Sequence, residues 1–427
     1  MTEGLAVAGG LQPFGIPLEF VLFALTLLGV AMFHQRTLEV AAVGLLAVVL
    51  YKIGVAGFHE GPGLRGFAGH LHAEWVVLAN LFGLLMGFAL LSRHFEESHV
   101  PAKLPDYLPD DWRGAFLLLV MVFVLSSFLD NIAAALIGGT VAATVFRHKV
   151  HIGYIAALVA ASNAGGSGSV VGDTTTTMMW IDGVSPLDVV HAYVAAGVAL
   201  VVCGIPAALQ QHRYSPIVKA SSRRLHVDWG RVGIVAVILL SAIAVNVLTN
   251  VRFPQYSDRF PFLGATVWLA ILATAAWRKP DWSVLPATLK GSVFLLCLVL
   301  SASLMPVEKL PAASWHSAFG LGFVSAVFDN IPLTKLALEQ GGYDWGVLAY
   351  AVGFGGSMLW FGSSAGVAIT NLFPEARSVG GWLRGGWHVA LAYVVGFAVV
   401  MLVLGWQPHA PHKGGPAAPV TSLQLPE

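Results

Sequence analysis

Eight apolar runs, at about residues 17 to 33, 38 to 57, 75 to 91, 187 to 208, 232 to 249, 263 to 277, 291 to 305 and 387 to 406, can span or nearly span the ~30 Å hydrocarbon core of a bilayer. A water-soluble core cannot absorb so much apolar surface. Of the 427 residues, 56% are hydrophobic and 11% charged, against roughly 25% charged in a soluble chain. The chain is predicted to be an all-α polytopic membrane protein whose first partner is the lipid bilayer. Its 23 basic residues balance 23 acidic ones, which argues against nucleic acid as a partner. Cys203 and Cys297 sit inside apolar runs, which argues against a disulfide framework or a thiolate metal site. No basic residue precedes the first apolar run, and no cleavable signal is evident.

Four further helical stretches are interrupted by polar or glycine-rich residues: 114–146 at Asp130 and Asn131, 152–181 from Asn163 to Gly172, 314–339 at Asp329 and Asn330, and 345–372 from Gly355 to Ser364. They form a repeat. Phe128-Leu129-Asp130-Asn131-Ile132 is matched by Val327-Phe328-Asp329-Asn330-Ile331. Gly165-Gly166, Gly172, Asp173 and Thr174 are matched by Gly355-Gly356, Gly362, Ser363 and Ser364. Paired interrupted segments in two halves of a membrane chain point to a transporter's binding site.

If the Asp-Asn stretches are re-entrant hairpins and the glycine-broken stretches cross the bilayer, the loops at 34–37, 92–113, 147–151, 209–231, 278–290 and 373–386 share one side. They hold 16 of the 23 basic residues; the other side holds Arg65, Arg252, Arg259, Lys309 and Lys413, while Lys52 and Lys335 lie in apolar runs. The positive-inside rule puts the richer side in the cytoplasm and the N-terminus outside, in what we expect to be a bacterial inner membrane. The two hairpins then enter from opposite faces, as inverted repeats. The expected organisation is N-terminal scaffold helices at 1–113, transport repeat 1 at 114–208, a cytoplasmic linker at 209–231, scaffold helices at 232–305, transport repeat 2 at 306–406, and a disordered tail at 407–427.

Asp130, Asp173 and Asp329 are embedded in apolar or glycine-rich sequence, where a charge costs about 2.5 to 3.5 kcal/mol on insertion scales and marks function by default. They can also serve simply as helix caps. With Asn131 and Asn330 they offer the oxygens a hard cation takes in place of water. Thr174 and Thr175, beside the break, add hydroxyls, though a threonine run also bonds its own helix. A carboxylate that binds either a cation or a proton gives antiport. His59, Glu60, His70 and His72 read as one outward loop, solvated, or else metal-binding or pH-sensing. Glu74 reads as a first-turn acid or an ion-path residue, and Lys335 as the partner of Glu339 or a countercharge near the site.

The stretch from Ser127 to Gly139, with Ser162-Asn163-Ala164-Gly165-Gly166 and Gly172-Asp173-Thr174-Thr175-Thr176, resembles the NhaD-type sodium/proton antiporters of the ion transporter superfamily, which also holds citrate transporter-like, arsenite-efflux and dicarboxylate carriers. The resemblance covers about 75–400. It implies a fold of re-entrant hairpins and broken helices in a homodimer, a scaffold holding a moving transport part. It also implies sensitive polar positions at Asp130, Asn131, Asn163, Asp173, Thr175 and Thr176, matched in the second half by Ser325, Asp329, Asn330, Ser363 and Ser364. Residues 167–171 read Ser-Gly-Ser-Val-Val where the antiporters are expected to carry an aromatic residue and a proline.

The expected function is secondary exchange of Na+, with Li+ a further candidate, for H+. The Na+ ligands would be Asp130, Asn131, Asp173, Asp329 and Asn330, with no resident cofactor and no enzymatic step. A citrate or dicarboxylate carrier and an arsenite permease are the alternatives within the superfamily; the breaks hold aspartates and no fixed cation, which favours a cation. An intramembrane protease using Asp130 and Asp329 as a dyad leaves the repeated glycines without a role.

Overall fold

The computed structural model describes residues 11–33, 36–218, 226–257 and 259–409, and every described regular element is helical. The helices used below are α1 (Leu18–Met32), α2 (Thr37–Tyr51), α3 (Gly63–Glu97), α4 (Trp112–Ser126), α5 (Asn131–Val145), α6 (Ile152–Ser167), α7 (Thr174–Ile181), α8 (Ala192–Tyr214), α9 (Trp229–Arg252), α10 (Phe262–Ala275), α11 (Leu285–Ser303), α12 (Trp315–Ser325), α13 (Asn330–Gln340), α14 (Trp345–Gly355), α15 (Ser364–Leu372) and α16 (Trp387–Leu404). Among the described residues, six stretches are long and apolar enough to cross a membrane: Thr37–Ala56, Gly63–Glu97, Pro186–Tyr214, Trp229–Thr249, Trp282–Ser303 and Trp387–Leu404. The protein is a polytopic membrane protein. Two of the eight expected spans fall short, because α1 and α10 have 15 and 14 residues and at 1.5 Å per residue reach only about 22 Å.

The helix expected at 75–91 is longer than its apolar run. As α3 it has 35 residues and a length of roughly 52 Å. Its first turns stay helical because Phe67 packs on Phe58 at 5.7 Å between ring centroids and because buried His70 bonds Ser303 Oγ through Nε2 at 2.9 Å. His70 and His72 therefore belong to a helix and not to an outward loop with His59 and Glu60, and Glu74 stands inside the helix and not in its first turn.

The expected break from Asn163 to Gly172 is also shorter. Helix α6 runs through Asn163 to Ser167, and the chain opens only between Gly168 and Asp173. Glycine here serves close packing: a Cβ on Gly165 would lie 2.0 Å from the carbonyl oxygen of Phe123 in α4. The second half repeats this, since a Cβ on Gly355 would lie 2.3 Å from Gly322 O in α12. At the turns, a Cβ on Gly172 would meet Ser126 O at 2.1 Å and one on Gly362 would meet Ala326 O at 2.4 Å. The spaced glycines thus have one physical cause in both halves: a broken helix pressed against the backbone of a hairpin arm. Across the halves, α5 packs on α15 and α13 on α7, while α4 packs on α6 and α12 on α14.

At one end of α3 an ion network ties three helices. Arg93 bonds Asp281 at 2.9 Å, Arg231 bonds Glu97 at 2.7 Å, and Arg278 bonds Asp228 at 3.1 Å. The Arg278 guanidinium holds the Asp228 carboxyl below the usual range, and the Ser283 hydroxyl followed by Arg93 does the same for Asp281. Of the expected linker at 209–231, residues up to Tyr214 continue α8, and 219–225 lie outside the described residues. Of the expected disordered tail, Gln407 to His409 is ordered: Gln407 N donates to Asp344 and the Trp345 indole donates to His409 O at 2.8 Å. Lys413 and the rest of that tail, 410–427, lie outside the described residues.

Candidate functional site

Four helices begin at one place. Asp130 caps α5 by accepting from Ile132 N at 3.1 Å, and Asp329 caps α13 by accepting from Ile331 N at 3.0 Å. Asp173 caps α7 by accepting from Thr175 N at 3.2 Å, and Ser363 caps α15 by accepting from Gly366 N at 3.2 Å. Each of the four first turns therefore has one of its free amides capped by a side chain.

Hydrogen bonds then join the two halves. Asn131 donates to Asn163 Oδ1 at 3.0 Å, and Asn163 donates onward to Ser357 and Ser363 at 2.9 and 3.1 Å. Asn330 reaches Asp173 Oδ2 at 3.5 Å, and Ser364 donates to Asp329 at 3.0 Å. Asn163, Asp173, Asn131 and Asn330 are buried; Asp130 and Asp329 are half-buried.

These groups border a cavity of about 350 Å³ lined by Asp130, Asn131, Asp173, Thr174, Asn330 and Ser364 on one side and by α3 and α11 on the other. Its α3 wall is a stripe from Leu81 through Phe88 and Ser92 to Arg93 and Glu96. Of the residues expected from the sequence, Asn163, Ser363 and Asp329 stand just behind this lining and hold it. Thr175 contributes its amide to Asp173. Thr176 turns its hydroxyl back to Ser169 O and Asp173 O, and Ser325 bonds Val352 O at 2.7 Å between α12 and α14. These last two hold backbone in place.

Sequence reasoning did not single out Ser357, whose signal was its position inside the second glycine-rich break. It also did not single out Arg93 and Glu96, which extend the apolar stripe of α3 at helical spacing. Oxygens from carboxylates, amides and hydroxyls around one partly enclosed cavity are a donor set for a hard cation.

The citrate transporter family model (CitMHS) matches residues 20–355. The chain is 26% identical over 325 residues to a protein of Arabidopsis thaliana named sodium/proton antiporter 1, a match covering 64% of this chain and 53% of that protein, so the chain spans about half its length. It is 23% identical over 359 residues to the Na(+)/H(+) antiporter NhaD of Halomonas elongata, covering 72% of each. It is 26% identical over 333 residues to the protein of that name in Vibrio parahaemolyticus, covering 66% of this chain and 78% of the other. The family match takes in both Asp-Asn hairpin tips and the whole first glycine break, and the chain belongs to the citrate transporter family, a family of membrane transporters.

Proposed function

We propose that the protein exchanges Na+, or Li+, for H+ across the membrane at the cavity lined by Asp130 and Asp173, with Asp329 just behind the lining. The carrying observation is the cavity lining, where the Asp130 and Asp173 carboxylates, the Asn131 and Asn330 amides and the Thr174 and Ser364 hydroxyls come together, a set of oxygens that suits a hard cation. A citrate carrier would need fixed positive charge among these groups, although the family description and the four amide-bearing helix starts keep it as the second reading.

In this reading Asp130, Asn131, Asp173, Asp329 and Asn330 ligate the ion, with Thr174 and Ser364 beside them and Asn163, Thr175, Thr176, Ser325 and Ser363 positioning the ligands. Residues 114–208 and 306–406 form inverted transport repeats with re-entrant hairpins α4–α5 and α12–α13. Residues 1–113 and 232–305 form the scaffold, through which the protein dimerises, and 209–231 links the halves. The N-terminus faces outward from a bacterial inner membrane. Neither a cofactor nor a covalent step is needed.

The test is exchange by the purified protein in liposomes loaded with a pH dye. Na+ and Li+ are expected to produce a proton signal, and K+, citrate and arsenite none. A signal with citrate alone would replace this reading by the second.

A further inference from the structure

The cavity-lining stripe of α3 runs from Leu81 to Glu96 and ends at Arg93 and Glu96, whose side chains are 41% and 35% exposed. Seven residues before Leu81, about two helical turns away and on the same face, stands Glu74. Helix α13 is arranged in parallel fashion. Asn330 and Ile331 line the cavity, and Lys335 lies one turn further from it.

Glu74 and Lys335 meet at 2.9 Å, with side chains 15% and 3% exposed. Lys335 is also 2.5 Å from Glu339 on its own helix, and Asp182, just past the end of α7, adds negative charge nearby. The aspartate cluster thus has an open cavity toward one end of α3 and a buried ion pair, bridging α3 to the second hairpin, toward the other.

We propose that Glu74 and Lys335 form the closed gate on the side of the site opposite the cavity. They are positioning residues: Lys335 must leave Glu74 before the aspartates can face the far side. Glu339 travels with Lys335 on α13, so the ammonium is never left bare in a low-dielectric setting, where an unpaired charge is costly. The arrangement explains why one buried lysine has two carboxylate partners, one on each side of the interface. The proposal rests on the transport reading above, but its test reads accessibility without any ion flux.

The probe is Thr288→Cys in the cavity wall of α11, in a background with Cys203→Ala and Cys297→Ala, labelled by a membrane-impermeant maleimide from the face bearing Arg93. Opening the gate shifts the population away from the present state, so Glu74→Gln is expected to slow labelling by about fivefold or more. Glu339→Gln removes a shorter ion pair of the same lysine without crossing the interface and is expected to leave the rate unchanged. Equal labelling in Glu74→Gln and the parent, or equal slowing by Glu339→Gln, would overturn the gate.

If Glu74→Gln does not fold, the double variant Glu74→Cys with Lys335→Cys, joined by a short bifunctional thiol reagent, takes its place. The joined protein is expected to label at Thr288→Cys, protected during joining by a removable thiol block, at the full parental rate; slower labelling contradicts the gate. Loss of the transport reading would show instead as unchanged exchange in Asp130→Asn, with the labelling pattern intact.

Discussion

Asp130→Asn is expected to slow Na+-driven proton exchange in proteoliposomes by at least about a hundredfold, the loss of roughly 2.7 kcal/mol that a charged ligand accounts for. The variant should keep its melting temperature. Asparagine caps a helix about as well as aspartate, so the bond from Ile132 N that starts α5 survives. What asparagine loses is the negative charge and the exchangeable proton. The substitution therefore separates the two roles of this residue. If capping were the whole of it, exchange would continue at close to the parental rate. Asp329→Asn should behave alike, because Asp329 repeats the cap at Ile331 N and adds the bond from Ser364.

Gly165→Ala is expected to destabilise the fold by about 3 kcal/mol, at the upper end for an overpacked site. The added carbon would sit 2.0 Å from the backbone oxygen of Phe123. Backbone cannot swing aside as a flexible side chain can, so α4 and α6 must separate, and with them the hairpin tip that carries Asp130. Gly355→Ala should act in the same way through Gly322 O. Gly197→Ala in α8 is the control. A Cβ there meets nothing within 4 Å, and alanine's better helix propensity makes the change neutral or mildly stabilising. Thermal unfolding in detergent distinguishes the three variants. An unshifted transition for Gly165→Ala would mean that the broken helix does not press on the hairpin.

The polar interruptions were legible because Asp-Asn-Ile and the spaced glycines are rare inside apolar runs and recur in order. That much led to the cavity at which Asp130, Asp173 and Asn330 converge. The limits of the breaks were less legible. Glycines at 165 and 166 look like helix breakers in the sequence, yet both are helical, since the smallness of Gly165 serves contact with α4 and that of Gly166 contact with the turn at Gly172 and Asp173.

Partnerships across the chain could not be read from local spacing. Asn163 meets Ser357 and Ser363 across 194 and 200 residues, and Glu74 meets Lys335 across 261. The i, i+4 pairing of Lys335 with Glu339 was visible in the sequence, and it concealed the more consequential partner. The length of α3 was hidden for a related reason. Its first turns are held by Ser303 and Phe58, outside the apolar run that announced the helix.

The proposed antiport requires one set of carboxylates to accept either a metal ion or a proton. Calorimetry of Na+ binding to the purified protein, repeated across pH in buffers of different ionisation enthalpy, reads this directly. Competition requires Na+ affinity to fall by about tenfold per unit as the pH drops through the titration of the cluster, with about one proton released per ion bound. An affinity independent of pH, with no proton released, would contradict it.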